Sequence, residues 1–87
     1  KFRNLNDCIN MVNAAGYGLA TYIFSSNKLD IKNLINRLQS GRMWINCSLK
    51  WSPALPVGGY HLSGKGRDMG KFGFKTYLTT KSLYLGK

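Results

Sequence analysis

The 87-residue sequence contains no glutamate, and its only acids are Asp7, Asp30 and Asp68. Against 13 lysines and arginines this leaves a formal charge of +10. Two cysteines, Cys8 and Cys47, make no disulfide framework, and no Cys-x-x-Cys spacing suggests zinc. A lone histidine, His61, cannot build a metal site without partners. No apolar run approaches the roughly 20 residues that a bilayer span needs. No charged start, apolar stretch and small-residue cleavage site open the chain. These absences exclude a membrane span, a disulfide miniprotein and a local metal centre. The hydrophobic share of 44% excludes an ordinary disordered tail. The length allows one domain at most, and a chain this short buries only about 60–65% of its unfolded surface. Such a core is marginal, and with Lys1 at its start the chain is expected to be a piece of something longer.

Hydrophobic spacing supplies the elements. Leu5, Cys8, Ile9 and Val12 share one helical face, with Asn4 or Asn6 as cap and Gly16 past the end, so a helix is expected over about 4–14. The short run 19–24, rich in aromatic and β-branched residues, reads as a strand buried on both faces. Ile31, Leu34, Ile35 and Leu38 form a clean i, i+3, i+4, i+7 stripe, predicting a helix over 28–40 capped by Asn27 or Asp30 and ended by Gly41. A second short strand follows at 43–47. Residues 48–66, with Pro53, Pro56 and four glycines, read as a long ordered loop or a functional one. A short helix is expected from Gly66 to about Phe74, and a strand over 77–85 from its period of two. The order is α/β, with the two inner strands parallel through a helical crossover. Two parallel strands alone make no stable sheet, which again points to a fragment.

Several groups invite chemistry and do not sustain it. Cys47 ends a strand, yet no base is paired with it, so it reads as a small buried residue; Cys8 reads as core. His61 reads as solvent-facing or bonded to backbone. The stretch 64–70, GKGRDMG, has the wrong spacing and context for a dinucleotide fingerprint or a Walker loop. The cluster Lys65, Arg67, Lys71 and Lys75 with Phe72, Phe74 and Tyr77 has the composition of a nucleic-acid surface. The basic residues are spread over the whole chain, however, and spread charge reads better as a solvated surface, so nucleic acid is not the expected partner.

Four blocks together carry a family resemblance. NAAGYGLATYIF at 13–24 resembles the Asn-x-x-x-Tyr-Gly-Leu segment of the aldehyde dehydrogenase superfamily. GRMWINC at 41–47 is similar to that family's Gly-x-x-Trp-(Val/Ile)-Asn strand. LPVGGYHLSGKGRDMG at 55–70 is similar to its Pro-Phe-Gly-Gly-Tyr-Lys-x-Ser-Gly-x-Gly-Arg-Glu-x-Gly, and YLTTKSL at 77–83 to its closing Tyr-Thr-x-x-Lys-x-(Val/Leu). The blocks stand in order and without gaps.

The resemblance implies the C-terminal end of an NAD(P)-dependent aldehyde dehydrogenase. Its α/β fold would be a parallel α-β-α-β unit of the catalytic domain over 1–76, with an oligomerisation strand and tail at 77–87. The family oxidises aldehydes to acids: a Cys thiolate attacks, hydride passes to the nicotinamide, and water activated by a Glu hydrolyses the thioester. The nucleophile, the general base, the oxyanion Asn and the cofactor turn lie upstream in that family. No catalytic, cofactor-binding or metal-ligating residue is therefore expected here, Cys47 included, and the 87 residues alone are expected to be inactive. NAD or NADP would be held by the rest of the parent chain.

The resemblance further implies that Trp51 and Val57 line the aldehyde tunnel. Val57 stands where Phe is frequent and widens it, and Leu49 and Leu55 are weaker candidates on the same loop. Gly58, Gly59, Gly64 and Gly66 are expected to serve the loop's turns. Arg67 is expected to bond a carbonyl or carboxylate. Asp68 matches a carboxylate, usually Glu, linked in relatives to proton relay or a cation site. The expected partners are the rest of the parent chain, an aldehyde, and further subunits through 77–85; the expected compartment is intracellular, cytoplasmic or organellar. A non-catalytic basic binding subunit derived from such an enzyme, or a small nucleic-acid module, is the alternative.

Overall fold

A computed structural model describes residues 1–86. Helix α1 spans Leu5–Asn13. Of the two candidate caps, Asn4 is used: its side-chain oxygen accepts from the Asp7 amide at 2.9 Å, satisfying a donor the helix cannot. A two-residue strand β1, Tyr17–Gly18, leads through Leu19 into β2, Ala20–Ile23. Helix α2 covers Lys28–Arg37, and Asn27 caps it by accepting from the amides of Leu29 and Asp30. The helix ends three residues before the expected 40, because Leu38 already has an extended backbone. Strand β3 is Arg42–Ile45.

Strands β2 and β3 pair in parallel, Ala20 opposite Arg42 through Ile23 opposite Ile45. Asn46 extends this join with two 2.9 Å bonds, accepting from the Ser25 amide and donating to the Ser25 carbonyl. One face of the two-strand ribbon meets the helices. Ile9, Ile23, Leu34 and Leu38 form the core there, with Leu5, Ile31, Met43 and Ile45 packed against them. Asn13 ties the helix ends together, donating to the Arg37 carbonyl and accepting from the Gln39 amide. Strand β2 is not buried on both faces as its composition suggests: of its four residues only Ile23 is buried. Among the described residues no helix covers the second face.

Residues 48–66 are not wholly a loop. Tyr60–His61 form a short strand, β4, antiparallel to β1. Val57 and Asp68 exchange two backbone bonds of 2.7 Å, closing the stretch between them. Helix α3 runs over Gly70–Thr76, later than the expected 66–74, because the backbone of 57–69 is spent on that closure and Met69 turns with φ 59°.

The strand expected over 77–85 is not formed. A strand needs a hydrogen-bonding neighbour, and residues 77–86 meet none among the described residues. Tyr77, Tyr84 and Leu85 are 81%, 92% and 85% exposed. The radius of gyration is 17.6 Å, against about 12 Å for a compact chain of this length. No described helix is long and apolar enough to cross a membrane.

Candidate functional site: the pocket between β3 and the 50–57 loop

Alternation along β3 decides what this site contains. Met43 and Ile45 point to the helices, so Arg42 and Trp44 must point the other way. On that face Tyr22 of the paired strand stacks on Trp44, with ring centroids 5.0 Å apart and planes 11° from parallel. The Trp44 indole Nε1 donates to the Lys50 carbonyl at 3.0 Å, which draws the following loop onto the ribbon. The loop brings Trp51 across Arg42. The guanidinium carbon then lies 4.5 Å from the Trp51 ring centre and 5.0 Å from that of Trp44. The space between ribbon and loop is a pocket of about 280 Å³, lined by both tryptophans, Arg42, Lys50, Leu55 and Val57 among others.

The energetics of Arg42 are unbalanced. Each cation–π contact is worth about 0.5–2 kcal/mol. Its Nε and Nη1 are nevertheless sealed from solvent without a hydrogen-bond partner. An unmet buried donor costs about 1–3 kcal/mol, more when charged. The stacking at best offsets the two orphaned donors, so Arg42 holds unspent hydrogen-bonding capacity in the pocket wall.

Close backbone approach closes the pocket's base. A Cβ at Gly41 would lie 1.6 Å from the Gly58 carbonyl oxygen, and one at Gly58 would lie 2.4 Å from that of Gly66. Neither position admits a side chain. Gly59 is buried against Ser63, while Gly64 and Gly66 turn with φ of 112° and 81° in open surroundings. Arg67 bridges the same segment, donating from Nη1 to the carbonyls of Gly59 and Gly66 and lying over the Tyr60 ring.

Of the tunnel candidates, Trp51, Leu55 and Val57 come together in the pocket wall. Leu49 does not line it; it is exposed, with φ of 44°. Asp68 pairs through its backbone with Val57, while its carboxylate accepts from the Met69 amide at 2.9 Å. Its side chain is thus engaged in a local turn. His61 faces solvent with its ring against the Gln39 side-chain oxygen. Cys8 and Cys47 are free and half-buried. Among the described residues no group of three His, Cys, Asp or Glu could hold a metal ion.

Residues 1–83 match the sequence model of the Aldehyde dehydrogenase family. The chain belongs to the aldehyde dehydrogenase family. It is 37% identical over 83 residues to the mitochondrial benzaldehyde dehydrogenase of Antirrhinum majus, covering 95% of this chain and 16% of that protein. The crystal structure of an NAD-dependent aldehyde dehydrogenase from Sinorhizobium meliloti superposes with a TM-score of 0.82 at 37% identity, over 87% of this chain and 15% of the other. The betaine aldehyde dehydrogenase of Staphylococcus aureus in complex with NAD+ superposes with a TM-score of 0.87 at 36% identity, over 92% and 16%. The chain thus spans about a sixth of the length of the relatives it matches.

Aldehyde dehydrogenase chemistry implies a nicotinamide cofactor, and the glycine-rich residues of this chain do not fit its phosphates. A phosphate cradle needs free amides at a helix start. Here the Gly70 amide donates to the Pro53 carbonyl and the Met69 amide to Asp68, and the helix behind them has only seven residues. Arg42 is the site residue that sequence reasoning missed. The signal was a cation inside an otherwise apolar strand, two positions before a tryptophan.

Proposed function

We propose that this chain is the C-terminal part of an NAD(P)-dependent aldehyde dehydrogenase that converts an aldehyde to a carboxylic acid. Its contribution is one wall of the substrate tunnel and a contact to neighbouring subunits. The observation that carries this reading is the convergence of Trp51, Leu55 and Val57 on one pocket, at the positions the family resemblance marks for the tunnel. These side chains exclude water and bear on the body of the aldehyde. Val57, in place of a frequent Phe, leaves room for a broader substrate. The nucleophile, the general base and NAD or NADP belong to the remainder of the longer protein. Two similar structures, one of an NAD-dependent enzyme and one bound to NAD+, support that cofactor class.

The 87 residues, purified and supplied with NAD+ and an aldehyde, are expected to release no NADH. Measurable turnover would contradict the assignment of the chemistry to other parts of the protein. The 77–85 stretch, unpaired and exposed here, gains its partner strand from another subunit in this reading. Removing 77–87 from the longer protein is expected to lower its mass by light scattering to that of a smaller assembly; an unchanged mass would refute the contact.

A further inference from the structure

The pocket wall carries charge of one sign only. Arg42 and Lys50 line it and no acidic residue does. Asp68, paired through its backbone with Val57, turns its carboxylate to the Met69 amide; Asp7 and Asp30 lie in the first turns of α1 and α2. The guanidinium carbon of Arg42 lies over the rings of both Trp44 and Trp51, so the cation is part of the pocket wall before any ligand arrives. Nε and Nη1 are sealed and unpaired. Nη2, which also makes no hydrogen bond, is the one guanidinium nitrogen that is not sealed, so it is the donor a ligand can reach. One open N–H donor on a cation set in an apolar wall, with Lys50 lining the same pocket, suits a carboxylate.

We propose that Arg42 makes this pocket a receptor for a carboxylate joined to an apolar body. In the dehydrogenase reading, on which this extension to substrate rests, the favoured aldehydes carry a carboxylate at the end remote from the reacting carbonyl. Arg42 then fixes the remote end while Trp51, Leu55 and Val57 enclose the chain between. Arg42 is a specificity-determining residue in this account, distant from the bond-making atoms.

The chain contains only two tryptophans, and both flank Arg42. Tryptophan fluorescence therefore reports on this site alone. Titration of the 87-residue chain with hexanoate is expected to give a saturable change at concentrations at least tenfold below those needed for 1-hexanol. Arg42→Met is expected to bring hexanoate to the level of the alcohol while the near-ultraviolet circular dichroism of the Tyr22–Trp44 pair persists. Should that signal be lost, Arg42→Gln, which keeps an amide donor without charge, is the replacement and the same loss is expected. Equal response to acid and alcohol, or hexanoate binding that survives either folded variant, overturns the proposal. If the chain itself shows no ordered aromatic signal, hexanoate is tested as a competitive inhibitor of the longer protein. Arg42→Met is expected to raise its inhibition constant at least tenfold, and an unchanged constant overturns the proposal. Hexanoate binding to the chain without any inhibition of aldehyde oxidation would instead count against the tunnel reading and leave the anion site standing.

Discussion

The two faces of the β2–β3 ribbon differ in how fully this chain completes them. Toward the helices, Ile23, Met43 and Ile45 meet Ile9, Leu34 and Leu38, and every contact is apolar. Toward the 50–57 loop stand Tyr22, Arg42 and Trp44, with two guanidinium donors unpaired and an open pocket beside them. The residues beyond β3 also carry unusual backbone: Asn46, Leu49, His61 and Met69 all have positive φ. Asn and His tolerate that region, whereas Leu and Met are held there at a cost of about 1–3 kcal/mol each. Unmet polar groups thus stand on the loop side, while the helix side carries the buried apolar core. That division is the physical ground for placing function on the loop face.

The division breaks if both faces prove equally important to folding. Ile23→Ala, on the helix face, is expected to cost about 2–4 kcal/mol through lost burial and the cavity left behind, read as a fall in the urea midpoint. A loss well under 1 kcal/mol would mean that the helix-side core does not hold the ribbon. Trp51→Ala, on the loop face, removes one stacking partner of a residue that is 59% exposed. Its expected cost is about 1 kcal/mol or less, with the hydrophobic wall of the pocket gone. A cost matching that of Ile23→Ala would show that the loop face is structural too.

Much of the helix face could be read from residue spacing. The stripe Ile31, Leu34, Ile35, Leu38 located α2, and Leu34 and Leu38 are indeed its buried members. Ile35, the third member, is exposed, because nothing among the described residues covers that side of the helix. The parallel pairing of β2 and β3 followed from two short apolar runs separated by a helix. The loop face was less legible for a reason of scale. Strand β4 has two residues, too few to show a period, and its pairing with β1 brings Gly18 so close to Tyr60 that no side chain fits there. The alternation over 77–85 was real in the sequence, but alternation describes a side-chain pattern and does not supply a neighbouring strand. Trp51, Leu55 and Val57 could be nominated through the family motifs. Arg42 could not, since its environment exists only once Trp44 has drawn the Lys50 carbonyl inward.

The central claim is that the loop face forms the wall against which an aldehyde lies. Val57→Phe in the longer protein tests it most directly, because it adds a ring at one point of the pocket wall. Steady-state oxidation of a bulky and a small aldehyde is the measurement. The account predicts that kcat/KM for the bulky aldehyde falls at least about tenfold, in line with the cost of misfitting a few carbons, while the small aldehyde is oxidised as before. An equal change for both aldehydes, or none for either, would contradict it.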